Sequence, residues 1–393
     1  MFFEYDKKPL MSLDECEIMV GDRVQIPPSL WIEIRESFTQ EAITAHLGNV
    51  IKTLPFPIRE YTQQEIQDDL NALRADSLKY EVSPWSTPRI NTPMNLVYGS
   101  KPICLIGNNS GLKVSNIQTQ AIRMECGLKK QGAPMEEWRN AHSKKSNFFR
   151  CLFGILSEEV STKGIENSIL YRALKMHTYM ASQFKPSVAK SIYDLFGAKR
   201  VLDFSAGWGD RLVGFLASGA ESYVGIDPNT KLHEPYRRIS DSVGGTKATE
   251  FICSPAEEVN YGGISYDFVF TSPPYFDTER YSEEPTQSWI KHSTLDKWLD
   301  GFLFEVLGRV YGGLEDGGRL AVNISDKKGE GNICQPMLEF MDKLGATYEG
   351  VIGYKMHKRN GIGLEGNFCE PVFIWSKGEA PEPKWITDNF FGV

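Results

Sequence analysis

VLDFSAGWGDRL, residues 201–212, is the stretch whose reading decides the fold. RVLDF, residues 200–204, reads as a buried strand. Asp203 sits near the strand end, Gly207 and Gly209 permit a tight turn with close backbone approach, and a helix begins in DRLVGFLASG. A lone GxG is weak by itself. Here an acid, Asp227 in GIDPN, closes the next strand, SYVGID, and in nucleotide-binding sheets a carboxylate at that place accepts hydrogen bonds from ribose hydroxyls.

Working outward, strand-like and helix-like segments alternate from about residue 166. The spacing of Ile169, Ala173, Met176, Met180 and Phe184 predicts a helix in ILYRALKMHTYMASQF. PSVAKSIYDLFG predicts another, with Pro186 in its first turn and Gly197 past its end. FICSPAEEV and YDFVFTSPPY read as strands. A helix over 295–311 places Leu295, Trp298, Leu299, Phe302, Val306 and Val310 on one face. GGRLAVNIS reads as a strand, LEFMDKLG as a helix, and ATYEGVIGYKM with CEPVFIWSK as a terminal strand pair. Such alternation implies an α/β domain with a mostly parallel sheet, whose ligands bind at the carboxyl ends of the strands. The expected division is an accessory mixed α/β domain over 1–165, a domain over 166–380 and a tail over 381–393. The accessory part contains a helical TQQEIQDDLNALRADSL.

YDFVFTSPPYF, residues 266–276, carries chemistry rather than packing alone. Pro273 and Pro274 fix φ and remove two N–H donors, so a ladder cannot continue, while their carbonyls remain acceptors. Tyr275 adds a stacking face. Acceptors beside a ring at a strand end suit a planar heterocycle bearing an exocyclic amine. A rigid turn leaving a strand is the plainer alternative.

Composition bounds the rest. The chain has 393 residues, 41% hydrophobic and 24% charged, as in ordinary globular proteins. No apolar run approaches the roughly 18 residues of a membrane span, and no early segment reads as a secretory signal, so a cytoplasmic protein is expected. The cysteines at 16, 104, 126, 151, 253, 334 and 369 are scattered without metal spacing, so reduced thiols and no structural metal are expected. A net charge of −8 argues against a protein coated in nucleic acid. Two local basic clusters are nevertheless candidates for phosphate contacts: one around Lys129, Lys130, Arg139, Lys144, Lys145 and Arg150, the other around Lys355, His357, Lys358 and Arg359.

Over roughly residues 177–378 the chain resembles the class I S-adenosylmethionine-dependent methyltransferases, specifically those that modify N6 of adenine or N4 of cytosine in DNA. LDFSAGWG is similar to their cofactor motif, GIDP to their ribose-binding acid and TSPPY to their catalytic motif. FKPSVAKSI resembles the segment that closes over the methionine end, and CEPVFIWSK their last strand. The resemblance implies a Rossmann-like seven-stranded sheet and S-adenosylmethionine as cofactor. Lys185, Asp203, Ser205, Gly207, Gly209, Asp227, Pro228 and Ala256 would hold it, with Asp203 receiving the methionine ammonium. Ser272 and the Pro273 carbonyl would accept the amine hydrogens, with Pro274 completing the motif and Tyr275 stacking on a flipped or single-stranded base in DNA.

The chain also departs from the family. Ser272 stands where many adenine enzymes have Asp or Asn, and Pro255 where an acid often meets the cofactor adenine, which leaves the backbone around Ala256, or Ser254, for that contact; Glu257 is a further candidate that reads rather as exposed. The short span from Gly209 to Ser272 leaves no room for a recognition domain. Methylation of an RNA base or of a protein glutamine is an alternative, and a non-catalytic cofactor-binding protein is another. FDTERYSEEPTQSWIK, after the motif, reads either as a lid or as a surface loop. Trp208 reads as packed on the cofactor or in the core, and Asn323 as a substrate contact on the same rim.

Overall fold

The computed structural model describes residues 19–20, 23–83, 85–86, 103–128, 132–143, 165–166, 169–172, 174, 178–242, 247–326, 331–356 and 367–379. Its strands of interest are β1 (Tyr80–Val82), β2 (Ile103–Leu105), β3 (Arg200–Asp203), β4 (Ser222–Ile226), β5 (Ala248–Ile252), β6 (Phe268–Thr271), β7 (Arg319–Asn323), β8 (Thr347–Lys355) and β9 (Asn367–Ser376). They lie in one sheet in the order β5-β4-β3-β6-β7-β9-β8-β2-β1, with the segment Trp85–Ser86 also paired to β9.

From β5 to β7 all neighbours are parallel. β9 is antiparallel to both β7 and β8. The central strands are apolar and shielded on both faces, β6 (FVFT) and β7 (RLAVN) being buried at every position, as expected where helices cover a parallel sheet. This is a Rossmann-like, doubly wound α/β arrangement. Chain order runs outward from β3 to β5, then returns to β6 on the other side of β3. The crevice between the ends of β3 and β6 is therefore the topological switch point, where sheets of this kind bind ligands.

The sheet is wider than the expected seven strands. β2 pairs parallel with β8, Ile352 opposite Ile103, and β1 pairs antiparallel with β2. Strands from the expected accessory region thus cover what would be an open edge at β8. The boundary near residue 165 is corrected accordingly. One compact unit falls within Met1–Arg59 and Arg123–Ala181, the other within Glu60–Ile122 and Ser182–Val393. A three-residue strand such as ICL gives almost no periodicity, and its parallel partner lies far along the chain, so sequence order alone misassigns it.

Within the first unit, the helices Pro28–Ser37 and Gln40–Ile51 bury Trp31, Ile34, Leu47 and Ile51 in a core that includes Trp138 and Ile165. The Trp138 indole N–H donates to the Leu54 carbonyl at 3.1 Å.

Most helices of the second unit follow the sequence signals. Gln63–Ala75 starts on a reciprocal capping box between Thr62 and Glu65. Pro186–Leu195 starts with Pro186 in its first turn, and Gly197 takes φ +62° beyond its end. Two expectations change. Residues 178–185 form no helix, consistent with Pro186 disfavouring helical backbone at Lys185, which is extended at φ −88°, ψ 118°. The helix expected over 295–311 is α over Leu295–Trp298, π over Leu299–Phe304 and α again over Glu305–Gly313. The π turn brings Leu303 into the core with Phe302 and Leu307. No helix among the described residues is long and apolar enough to cross a membrane.

Candidate active site

The turn after β3 is built around a saturated carboxylate. Asp203 is fully buried. Its Oδ2 accepts from Arg211 Nε and the Tyr223 hydroxyl, both at 2.8 Å; its Oδ1 accepts from Arg211 Nη2 and the Ser205 N–H, both at 3.2 Å. Four donors fill the acceptor sites of a carboxylate. Asp203 therefore organises the turn, and its expected bond to a methionine ammonium is corrected. Burial alone would lower the Arg211 pKa, yet the charge and hydrogen bonds of Asp203 raise it above the ordinary value. Arg211 also donates to the Ser205 carbonyl, so both backbone groups of Ser205 are engaged and only its hydroxyl remains for a ligand.

Gly207 and Gly209 take φ +58° and +79°. Gly209 caps the helix Asp210–Ala217, and a Cβ there would come within 2.9 Å of Ile239 Cδ1, so both the backbone angle and the space require glycine. Asp227, at the end of β4, accepts the Gly207 N–H at 2.9 Å through Oδ2 and the Asn229 N–H at 2.9 Å through Oδ1. The two cofactor motifs read separately in the sequence are thus joined directly. Burial pushes the Asp227 carboxyl up to about 6, against the opposing pull of the Asn229 and Gly207 N–H groups. Each of its oxygens retains a lone pair for a hydroxyl.

A nucleoside fits this corner. Among the described residues, neither the Asn229 amide Nδ2, in a side chain only 2% exposed, nor His233 Nδ1 has a hydrogen-bond partner, while His233 Nε2 meets the Asp227 carbonyl at 2.8 Å. An orphaned buried donor beside a carboxylate with spare acceptor capacity suits the heteroatoms of an adenosine. Pro228, between them, is half-buried. Ala256 is buried, and its carbonyl accepts the Tyr261 hydroxyl at 2.8 Å and the Val259 N–H, leaving its own N–H for a ligand. Lys185 turns its ammonium to the Gly107 carbonyl at 3.2 Å, and burial lowers its pKa. Among the described residues no group of three or more His, Cys, Asp or Glu is placed to hold a metal ion.

The glycine turn also rests on residues the sequence reading missed. Ser115 and Thr119, one turn apart on the helix Leu112–Arg123, donate to Asp210 Oδ1 at 2.6 Å and to the Trp208 carbonyl at 3.2 Å. Their i, i+4 spacing on a helix was the available signal, but nothing local tied that helix to β3.

At the end of β6, Ser272 is half-buried and donates its hydroxyl to Asn323 Oδ1 at 3.1 Å. Asn323, on β7, is 2% exposed and donates Nδ2 to the Pro371 carbonyl on β9 at 2.8 Å. Asn323 is therefore not on the rim as expected; it lies behind Ser272. Pro273 is buried and Pro274 half-buried. The half-buried Tyr275 ring packs against the core, and its hydroxyl donates to Glu370 Oε2 at 3.3 Å. Phe276 follows with φ +55°, unique among the described non-glycine residues. A bulky side chain held there is strained, and it turns the chain sharply after the motif.

The segment after the motif crosses the three cofactor loops. The Tyr281 ring stands edge-on to Trp208, with centroids 5.7 Å apart. The Glu284 carboxylate accepts from the Thr230 N–H at 3.2 Å and from its hydroxyl. Lys291 pairs with Glu257 at 2.6 Å, with His292 3.6 Å from the same carboxylate. The Glu257 carboxylate is thus mostly buried, contrary to its expected exposure. Trp208, 6% exposed, packs under this strap. Of the two basic clusters, only Arg139 and Lys355 lie among the described residues; Lys355 is 3.5 Å from Glu81. The tail over 381–393 lies outside them.

No family model matches the chain, and no curated protein matches it. Among solved structures it is similar to TrmN from Thermus thermophilus, with 16% identity over 49% of this chain and 49% of that one, at a TM-score of 0.35. An rRNA methylase from Streptococcus thermophilus is 17% identical over 51% of this chain and all (100%) of its own, at 0.31. The [4+2]-cyclase SpnF is 13% identical over 48% of this chain and 80% of its own, at 0.34. The chain thus spans about half the length of TrmN. The fold assignment stands on strand order and pairing, independently of these likenesses.

Proposed function

We propose that the chain is an S-adenosylmethionine-dependent methyltransferase acting on an exocyclic base amine, adenine N6 or cytosine N4, in DNA. The observation that carries this reading is the adjacency of two sites at one switch point: the Gly207–Asp227 corner after β3 and β4, and Ser272-Pro273-Pro274-Tyr275 after β6. The bound cofactor supplies an electrophilic methyl on a sulfonium. Asp227 accepts the ribose hydroxyls, the Gly207–Gly209 turn admits the ligand close to the backbone, and Pro228 with the Ala256 N–H flanks the adenine. Lys185 and the Ser205 hydroxyl line the methionine side.

Target chemistry falls to the second site. Ser272 Oγ and the Pro273 carbonyl accept the amine hydrogens, and Tyr275 stacks on the base. An exocyclic amine is a poor nucleophile because its lone pair is delocalised into the ring. Two fixed acceptors favour its pyramidal form and aim the lone pair at the methyl group, so alignment and electrostatics supply the rate without a strong base. The motif order that the chain shares with DNA amino-methyltransferases supports DNA as the polymer.

The test is incubation with labelled S-adenosylmethionine and separate DNA, RNA and protein pools, followed by nucleoside mass spectrometry. N6-methyladenine or N4-methylcytosine from DNA is expected. Label confined to RNA or to protein glutamine overturns the polymer. Incorporation that survives Ser272→Ala combined with Tyr275→Ala overturns the mechanism.

A further inference from the structure

Ser272, like Tyr275, carries a hydroxyl that both donates and accepts, and it is the one assigned to the target amine in the proposed reading. Its proton is already committed. Pro371 offers Asn323 a carbonyl, which only accepts, so the asparagine amide must turn Nδ2 toward it, at 2.8 Å. That leaves Oδ1 facing Ser272 Oγ at 3.1 Å, and Oδ1 can only accept. The orientation of the amide is thus set by the backbone of β9 and passed on to the serine. Asn323 is 2% exposed, whereas Ser272 is half-buried, so the serine alone meets an incoming target. Pro273 and Pro274 add no N–H.

We infer that Asn323 is a positioning and specificity residue that makes Ser272 a pure acceptor, so that the site selects a base bearing an amine over one bearing a carbonyl at the same place. The inference rests on the proposed reading of the site as one for methylating a base amine. Adenine and cytosine present N–H donors to Ser272 Oγ and gain hydrogen bonds. Hypoxanthine and uracil present oxygen lone pairs to oxygen lone pairs and gain none. Without the Asn323 amide, the Ser272 proton is free to turn toward a carbonyl, and of the two acceptors only the Pro273 carbonyl still discriminates.

The experiment is an NMR titration of the full chain, saturated with S-adenosylhomocysteine, with the matched pairs adenosine and inosine, and cytidine and uridine. For the wild type, the amine member of one pair is expected to bind about tenfold more tightly than its carbonyl partner, as one hydrogen bond gained rather than lost implies. Asn323→Leu should lower that ratio several-fold with S-adenosylhomocysteine affinity unchanged, the Pro273 carbonyl keeping the remainder. Ser272→Ala should lower the ratio by the same factor, and adding Asn323→Leu to it should lower it no further, because the two act through one contact. If Asn323→Leu fails to fold, Asn323→Ala, which removes the amide without adding bulk, should lower the ratio by the same factor.

A preference that is undiminished in Asn323→Leu or in Ser272→Ala overturns the inference and leaves the proposed function standing. So do additive losses in the double variant. Equal binding, or none, of both members of both pairs by the wild type also overturns it, and the methyl-incorporation assay then decides separately whether the proposed function falls too.

Discussion

Asp203 and Arg211 meet in a two-pronged ion pair, Nε to Oδ2 at 2.8 Å and Nη2 to Oδ1 at 3.2 Å, with both side chains almost wholly removed from solvent. The pair joins the end of β3 to the first turn of the helix that follows, so the intervening SAGWG loop is closed at its base. Tyr223 and the Ser205 N–H complete the shell. A residue placed by motif in contact with the cofactor instead shapes the loop that would hold it.

Removing the cation should therefore cost stability first. Arg211→Met leaves a buried carboxylate without its counter-charge, a change worth about 3–5 kcal/mol. Urea unfolding should show a midpoint lowered accordingly. An unchanged midpoint with weakened cofactor binding would instead assign the pair to the ligand.

Asp227 predicts a pH dependence. Burial raises its carboxyl to about 6, above the roughly 3.9 of an unfolded aspartate. A raised pKa means that the folded state holds the proton more tightly; the stability from this group is full below about 4 and is lost as pH rises through about 6. Ribose recognition prefers the ionised form. Affinity for S-adenosylhomocysteine, measured calorimetrically from pH 5 to 8, should fall below pH 6, and Asp227→Asn should abolish that dependence while weakening binding. A flat profile in the wild type contradicts the ribose assignment.

Tyr275 should matter through its ring more than its hydroxyl. Tyr275→Phe loses one 3.3 Å hydrogen bond to Glu370 and should retain kcat/KM within a few-fold. Tyr275→Ala removes the stacking face, worth roughly 1–3 kcal/mol per base, and should lower kcat/KM by about tenfold or more. Equal losses in the two variants would move the function from the face to the hydroxyl.

The strap over 277–292 is held to the Asp227 loop by Glu284 on Thr230. Because that contact is partly open to solvent, its loss should be modest. Glu284→Ala should speed dissociation of S-adenosylhomocysteine a few-fold in stopped-flow fluorescence. An unchanged off-rate would make the segment a surface loop with no part in retention.

Most of the sheet was legible because its strands are short apolar runs punctuated by glycine, proline and acid at their carboxyl ends, and those punctuation marks are local. The glycine turn, Asp227 and TSPPY could be read for the same reason: each is a backbone device within a few residues. The π turn at Leu299–Phe304 was not legible, since an apolar run with helical spacing fits α and π alike until packing selects the register.

The sequence by itself determined the α/β alternation, the strand ends that carry polar groups and the acceptor-rich motif beside a ring, because periodicity and φ restrictions act over neighbouring residues. Only the tertiary structure decided that Asp203 is consumed by Arg211, that Tyr80–Val82 and Ile103–Leu105 extend the sheet, and that Asn323 stands behind Ser272 rather than beside it. Those outcomes depend on which distant strands become neighbours, and a hydrogen-bond donor or acceptor has no assigned role until its partner has been brought within about 3 Å.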